Sequence, residues 1–202
     1  MNVTNFSPVS MSMPAGYLLN KTFDYNNNGL PELILSEEQN NAIGNIGLYE
    51  FDGSAMSQVF STDRNIIPRD LLDTDGDGIP ELLCGFGFSS YLLKSPSAGM
   101  FPSDLVKTWE GDGNNQYWAS RLADLDRDGS YEVIMRVVNS GTSEDTDRFE
   151  VWEDNGTGNF AFTAAFPNPT GGENINGVPH CEIADFDGDG RTEILLGDSD
   201  GD

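Results

Sequence analysis

The sequence is poor in positive charge, histidine and cysteine. Its 202 residues include 10 Lys and Arg against 34 Asp and Glu, with one His and two Cys, and its formal net charge is −24. A surface this acidic opposes binding to nucleic acid or to an anionic membrane, because both are polyanions. One histidine and few cations also offer little from which to build a catalytic cluster, so we predict that the protein is not an enzyme.

Long apolar segments are missing as well. No run approaches the 18 or so residues of a transmembrane helix, and the first seven residues lack the charged and apolar regions of a signal peptide. We therefore expect no membrane insertion and no signal peptide in this chain. Cys84 and Cys181 fall on predicted strands of different repeats. We expect two separate buried thiols, and a disulfide is the alternative.

What the chain does have is a nine-residue acidic segment that occurs four times. The copies begin at residues 24, 73, 124 and 185, which are spacings of 49, 51 and 61 residues. We call them the first, second, third and fourth loops. Each has Asp or Asn at positions 1, 3 and 5, Gly at position 6 and Glu at position 9. Four copies in phase indicate an internal repeat.

This spacing points to calcium coordination. Oxygen side chains at positions 1, 3 and 5 of a tight loop converge on one point, and a glycine at position 6 permits the sharp turn. The backbone carbonyl of position 7 and the carboxylate of position 9 complete a set of hard oxygen ligands, as Ca²⁺ requires. The predicted ligands are Asp24, Asn26, Asn28, Leu30 and Glu32; Asp73, Asp75, Asp77, Ile79 and Glu81; Asp124, Asp126, Asp128, Ser130 and Glu132; and Asp185, Asp187, Asp189, Arg191 and Glu193.

The four predicted sites are unequal, and other interpretations exist. The first loop has Asn26 and Asn28 where the others have Asp, so we expect about four Ca²⁺ sites with the first one weaker.

A solvated acidic turn is the simplest alternative for any single copy. An EF-hand is excluded because its glutamate belongs at position 12, where this chain has Leu or, in the other copies, Cys84 and Met135. Magnesium prefers a tighter octahedron with several waters, and zinc prefers nitrogen or sulfur ligands.

Each loop glutamate is followed by a short apolar run, such as the one from Leu82 to Cys84, which is typical of a buried strand. A nine-residue calcium loop joining two strands, repeated about every 50 residues, resembles the FG-GAP repeats of integrin-α-type β-propellers and their bacterial VCBS-type relatives. The resemblance implies an all-β fold, an open arc of about three and a half four-stranded blades from a larger propeller. The blades would span residues 17–63, 64–111, 117–168 and a truncated 178–202, after a tail or outer strand at 1–16.

The four-stranded blade pattern allows each strand to be placed along the chain. We predict strands at residues 17–25, 32–37, 46–51 and 56–62; 67–72, 81–87, 90–94 and 104–110; 117–123, 132–139, 148–153 and 160–166; and 178–184 and 193–197. The longest connections, residues 139–147 and 167–177, are places where a binding function could lie. The last repeat stops after its second strand, so we expect further repeats or a second copy to complete the propeller.

The resemblance and the loops together imply a function. We expect a calcium-stabilised, non-catalytic binding or scaffold module of a secreted or cell-surface protein, with a protein or a glycan as its ligand. Two alternatives stay open: the propeller part of an extracellular polysaccharide-degrading enzyme, and a purely structural spacer. Trp109, Trp118, Trp152 and Tyr91 could stack on sugars, but we expect them to pack between neighbouring blades.

Three further patterns carry less weight. Residues 197–201 match the G-x-S-x-G pattern of hydrolases, but no histidine follows them, so we predict a turn there. Asp198, Asp200 and Asp202 repeat the loop spacing out of phase with the array; we interpret them as part of that turn, and a weak cation site is the alternative. His180 beside Cys181 has no second soft ligand nearby in sequence, which disfavours a zinc site.

Overall fold

The protein forms four antiparallel sheets from strands taken in sequence order. The computed structural model describes residues 12–13, 15–39, 42–62, 66–86, 88–111, 115–139, 148–156, 158–167 and 180–197. The strands in these ranges are β1 (Gly16–Phe23), β2 (Glu32–Gln39), β3 (Ala42–Phe51), β4 (Met56–Thr62), β5 (Ile67–Leu72), β6 (Glu81–Phe86), β7 (Ser89–Lys94), β8 (Asp104–Trp109), β9 (Asn115–Ala123), β10 (Glu132–Asn139), β11 (Arg148–Asp154), β12 (Phe160–Pro167), β13 (His180–Ala184) and β14 (Glu193–Gly197).

Every sheet is a simple meander. The first sheet contains β1 to β4, the second β5 to β8, the third β9 to β12 and the fourth β13 and β14, and consecutive strands pair antiparallel throughout. Each nine-residue acidic loop joins the first strand of its sheet to the second. None of the described segments is helical, and none could cross a membrane as a helix. The all-β prediction is therefore confirmed.

Strand bounds differ from the prediction by a few residues. β3 begins at Ala42 instead of residue 46, and β9 begins at Asn115 instead of 117. The pairing of β2 with β3 continues past a register shift between Ser36 and Glu38 as far as Gln39 and Ala42. Backbone ladders therefore extend beyond the apolar residues from which the strands were predicted.

Three apolar cores lie between neighbouring sheets. The first and second sheets share a core that includes Ile34 and Leu82, and the second and third share one that includes Leu83 and Met135, all fully buried. Adjacent residues Leu82 and Leu83 point to opposite faces of β6, as strand geometry requires. Ile134 and Cys181 belong to a third core, between the third and fourth sheets. Burial on both faces explains why the apolar runs after the loops do not alternate with polar residues.

Polar contacts join the first strands of successive sheets. Asp70 on β5 is fully buried, forms an ion pair with Lys21 on β1 and accepts a hydrogen bond from the backbone N–H of Leu122 on β9 at 2.9 Å. Arg121 continues the line to β13 through an ion pair with Glu182 at 3.0 Å. The four loops are consequently held at the ends of strands that touch one another in order.

Other expectations can be compared with this arrangement. Cys84 and Cys181 are buried and are not joined by a disulfide, as expected, and burial raises the pKa of Cys181 to about 11. Trp109 is 3% exposed and packs edge-on against Trp152 and Phe160, so it contributes to a core. The connections at 140–147 and 168–177, the segment 198–202 with its two patterns, and residues 1–11 lie outside the described residues.

Candidate metal centre

The four loops share one backbone conformation. Position 6 is a glycine with φ between 86° and 91° in every copy: Gly29, Gly78, Gly129 and Gly190. Position 4 also has positive φ: Asn27 (57°), Gly76 (75°), Arg127 (64°) and Gly188 (77°). The sequence predicted the requirement at position 6 but missed the one at position 4, where only two copies have glycine. Positive φ at both positions curls the chain around its own side chains.

Side-chain oxygens at positions 1, 3 and 5 accept hydrogen bonds from the loop backbone. In the third loop, Asp124 accepts from the N–H groups of Asp128 and Gly129 at 3.1 Å each, and Asp126 accepts from that of Asp128 at 3.2 Å. Asp128 in turn accepts from the N–H of Ser130 at 2.7 Å. Equivalent bonds occur in the other three loops. They orient the predicted ligands toward the interior of the loop.

Position 7 is placed by the same bonds. The backbone N–H groups of Leu30, Ile79, Ser130 and Arg191 donate to the position-5 side chain of their own loops. Their predicted role as carbonyl ligands stays a prediction.

The position-9 glutamates connect the end of each loop to its beginning. Each accepts a hydrogen bond from the backbone N–H of position 2, at 2.7 Å in the first and second loops, 2.6 Å in the third and 2.8 Å in the fourth. Glu32, Glu81 and Glu132 are almost entirely buried. Burial raises the pKa of Glu132 to about 7, and the carboxylates of Asp126, Glu153 and Asp124 add to that effect. Burial likewise raises the pKa of Glu32 and Glu81.

Three loops bring carboxylate oxygens within 4.8 Å of one another. The converging groups are Asp73, Asp75 and Glu81; Asp124, Asp126 and Asp128; and Asp185, Asp187, Asp189 and Glu193. The fourth loop alone assembles all four predicted carboxylates, whereas Asp77 and Glu132 stand apart from the groups of their loops. In the first loop, amides replace two of the carboxylates.

This donor set fits a hard divalent cation. All the converging groups are oxygens, as Ca²⁺ prefers. In the first loop, Glu32 Oε1 is buried without a hydrogen-bond partner, although a buried carboxylate oxygen normally has one. Burial also raises the pKa of Glu32, Glu81 and Glu132, because it disfavours the charged form of each carboxyl. A bound cation would offset that cost in each of these loops.

In each of the first three sheets, a residue on the third strand also faces the loop, and it was not identified from the sequence. Glu50 pairs with Glu32 across β2 and β3, and Glu153 pairs with Glu132 across β10 and β11. In the second sheet, Leu82 pairs with Leu93, so the next position along places Lys94 beside Glu81. The loop glutamate thus has an acidic neighbour in the first and third sheets and a basic one in the second.

A cavity of about 500 Å³ with both polar and apolar lining opens beside the second loop. Its lining comes from the second sheet and from the loop and hairpin of the third sheet, and includes Asp75, Glu81, Lys94, Tyr131 and Asp154. The mixture of carboxylates, one ammonium and one aromatic ring provides hydrogen-bonding groups in a concave surface. From the sequence, a binding function was predicted at the long connections of the third repeat and not at this cavity.

Comparison with known proteins gives one match. Residues 137–196 match the model of the FG-GAP-like repeat, a stretch that begins within β10, passes through the fourth loop and ends in β14. No curated protein and no solved structure matched the chain. The resemblance noted in the sequence is confirmed over these residues. Residues 137–196 of this chain are therefore similar to an FG-GAP-like repeat.

Proposed function

We propose that the protein is a calcium-stabilised, non-catalytic binding or scaffold module in which each sheet is one blade of a β-propeller arc. The observation that carries this proposal is the fourth loop, where four carboxylates converge within 4.8 Å inside the stretch that matches the FG-GAP-like repeat. The first strands contact one another in order while apolar cores fill the spaces between successive sheets, an arrangement expected of adjacent blades.

Calcium would stabilise the fold by holding each loop closed. The side-chain oxygens at positions 1, 3 and 5 and the glutamate at position 9 would hold the ion, which supplies the positive charge that these buried or converging carboxylates lack. Closing a loop also fixes the ends of the first two strands of its sheet. We expect about four sites, with the first weaker because Asn26 and Asn28 contribute no charge.

Weak extracellular sites of this type bind at roughly 0.1–1 mM Ca²⁺. We therefore infer a secreted or cell-surface location, and a protein or glycan ligand. The cavity beside the second loop supports a ligand with hydroxyl or amide groups, because carboxylates, an ammonium and a tyrosine contribute to its lining. Screening the protein against glycan and protein arrays, in calcium and in EDTA, would identify the ligand class; no retained ligand in either condition would favour a spacer instead.

Thermal melting tests the calcium proposal directly. A cation that binds only the folded state adds about 2.7 kcal/mol per site at a hundred times its Kd. We expect melting in millimolar calcium to occur well above melting in EDTA, with magnesium giving a smaller shift. Coincident melting curves in calcium and EDTA would contradict the proposal.

The outer edge of β14 has no pairing strand among the described residues. We further propose that additional repeats or a second copy of the chain pair with this edge, since an exposed strand edge favours association. Light scattering after size-exclusion chromatography should show association of the 202-residue chain. A calcium-loaded monomer at high concentration would contradict it.

A further inference from the structure

In the first two sheets, the charge of the third-strand residue is complementary to the side chains at loop positions 3 and 5. In the first sheet this residue is Glu50, and the loop has Asn26 and Asn28. In the second sheet it is Lys94, and the loop has Asp75 and Asp77. An acid faces amides in one sheet, and a base faces acids in the other.

In the first loop, Glu50 receives two hydrogen bonds across the loop. The side-chain amides of Asn26 and Asn28 both donate to Glu50 Oε1, the second at 2.9 Å. The orientation of these amides is determined by the backbone, because Asn26 Oδ1 accepts the N–H of Asn28 at 3.0 Å and Asn28 Oδ1 accepts the N–H of Leu30 at 2.8 Å. Only the amide N–H₂ groups are therefore free to point at Glu50, which is 8% exposed.

In the second loop, Lys94 makes the same connection with opposite charge. Asp75 Oδ1 accepts the backbone N–H of Asp77 at 3.2 Å, and Asp75 Oδ2 forms an ion pair with the ammonium of Lys94 at 2.5 Å. Asp77 Oδ2 lies 3.9 Å from the same ammonium. The pair lowers the pKa of Asp75 and raises that of Lys94, as expected for opposite charges in contact.

Among the residues that the structure describes, the third and fourth loops have no equivalent group. The third-strand residue of the third sheet is Glu153, which adds negative charge beside Glu132. Within the ranges that the structure describes, no Lys or Arg side chain forms an ion pair with Asp126 and Asp128, or with Asp187 and Asp189 of the fourth loop. These carboxylates converge without an ion pair to any described Lys or Arg side chain.

We propose that Glu50 and Lys94 are internal latches, side chains that close the first and second loops without a metal ion, so that calcium is required mainly at the third and fourth loops. This rests on the proposed function for the identity of the cation. Calcium entering the second loop would have to displace the ammonium of Lys94 from Asp75. The affinity of that site is then lower than its four loop carboxylates would suggest.

Hydrogen exchange measured by mass spectrometry can follow each loop separately, on peptides covering residues 24–32, 73–81, 124–132 and 185–193. In EDTA, relative to calcium, we expect residues 124–132 and 185–193 to exchange at least about tenfold faster, and the first two loops to change by less than about twofold. Lys94→Met keeps the length of the side chain and removes the charge, and it should make residues 73–81 as dependent on calcium as the third loop. Lys94→Arg, which keeps the charge, is the matched control.

The outcomes separate the latch from the calcium proposal. If no loop differs between calcium and EDTA, the calcium proposal is wrong and the latch has no basis. If all four loops lose protection equally in EDTA, calcium binding survives and the latches are refuted. If residues 73–81 stay protected in EDTA in both Lys94→Met and Lys94→Arg, Lys94 is not a latch. Lys94→Gln provides the same test should Lys94→Met fail to fold.

Discussion

The second and third loops have the same four acidic positions and the same backbone, yet they differ in one residue that lies outside them. Lys94 faces the second loop and places an ammonium on Asp75, whereas Glu153 faces the third and adds a fifth carboxylate to its surroundings. A loop motif therefore does not determine by itself the charge of a metal site. The strand next to the loop adds a charged side chain to the surroundings of that site.

Both loops depend on the same scaffold, and the largest expected effect comes from disrupting it. Asp70 is fully buried, pairs with Lys21 and accepts the backbone N–H of Leu122. Asp70→Ala leaves that N–H unsatisfied and removes the ion pair, and we expect the free energy of unfolding to fall by about 3 kcal/mol. Chemical denaturation should give the same loss in calcium and in EDTA.

Asp70→Asn is the matched control for this prediction. It keeps an acceptor for the N–H of Leu122 and loses only the charge, so its cost should be smaller. A loss that appears only in calcium would mean that Asp70 acts through the loops and not through the contacts between sheets.

The next effect separates the two loops by their need for calcium. Asp126→Asn in the third loop and Asp75→Asn in the second are equivalent changes that keep the oxygen accepting the backbone N–H. At a hundred times Kd, Asp126→Asn should abolish up to about 2.7 kcal/mol of calcium-dependent stability. Asp75→Asn should abolish less than half of that, because Lys94 already neutralises part of the second loop. Denaturation in calcium and in EDTA measures the calcium-dependent stability of each variant. If both variants lose the same amount of it, the proposed difference between the two loops is wrong.

The strands and the loops could be predicted from the sequence because one motif determines both. Each loop glutamate begins the second strand of a sheet, as Glu32, Glu81, Glu132 and Glu193 do. The aspartate at position 1 follows the first strand, so the register of that pair needs no long-range information. Hydrogen bonds within nine residues orient the ligands, and local chemistry was therefore sufficient for this part of the site.

The third-strand residue could not be predicted in the same way. Glu50, Lys94 and Glu153 follow their loop glutamates by 18, 13 and 21 residues, because the hairpin between the second and third strands varies in length. Their position depends on cross-strand register, which a slip of one residue would reverse. The role of Asp70 was equally hidden, since a single Asp in a short strand gives no sign that it is buried and paired.

Transferring the lysine to the third loop is a direct exchange of the feature that distinguishes the two loops. Glu153→Lys should place an ammonium near Asp126 and Asp128, as Lys94 stands near Asp75. Two unit charges about 5 Å apart interact by roughly 3 kcal/mol at an effective dielectric near 20, and solvent screening at this half-buried position reduces that. We expect calcium affinity at the third site to fall at least about tenfold, which corresponds to about 1.4 kcal/mol.

Calorimetric titration would measure that change in affinity, and Glu153→Gln is its control. The glutamine variant removes one negative charge without adding a positive one, so its affinity should lie between those of the original chain and Glu153→Lys. Equal affinities for Glu153→Gln and Glu153→Lys would show that the ammonium does not reach the loop.

The smallest expected effect concerns position 4, where the second loop has Gly76 and the third has Arg127, both with positive φ. A left-handed conformation costs a residue with a Cβ about 1–2 kcal/mol, and glycine loses part of that advantage through its greater freedom in the unfolded chain. Arg127→Gly should raise the free energy of unfolding by about 0.5–1 kcal/mol, and Gly76→Ala should lower it by a similar amount. No atom lies within 4 Å of the position that a Cβ would take at Gly76, so the cost there is one of backbone conformation and not of crowding.

Arg127→Ala removes the charge but keeps the Cβ, and the difference between the Ala and Gly variants isolates the backbone contribution from the electrostatic one. Denaturation in EDTA, where calcium cannot add to the difference, is the decisive measurement. Equal stability of Arg127→Ala and Arg127→Gly would mean that the third loop relaxes away from positive φ when it is empty, whereas the second, held by Lys94, should keep its conformation and its penalty for alanine.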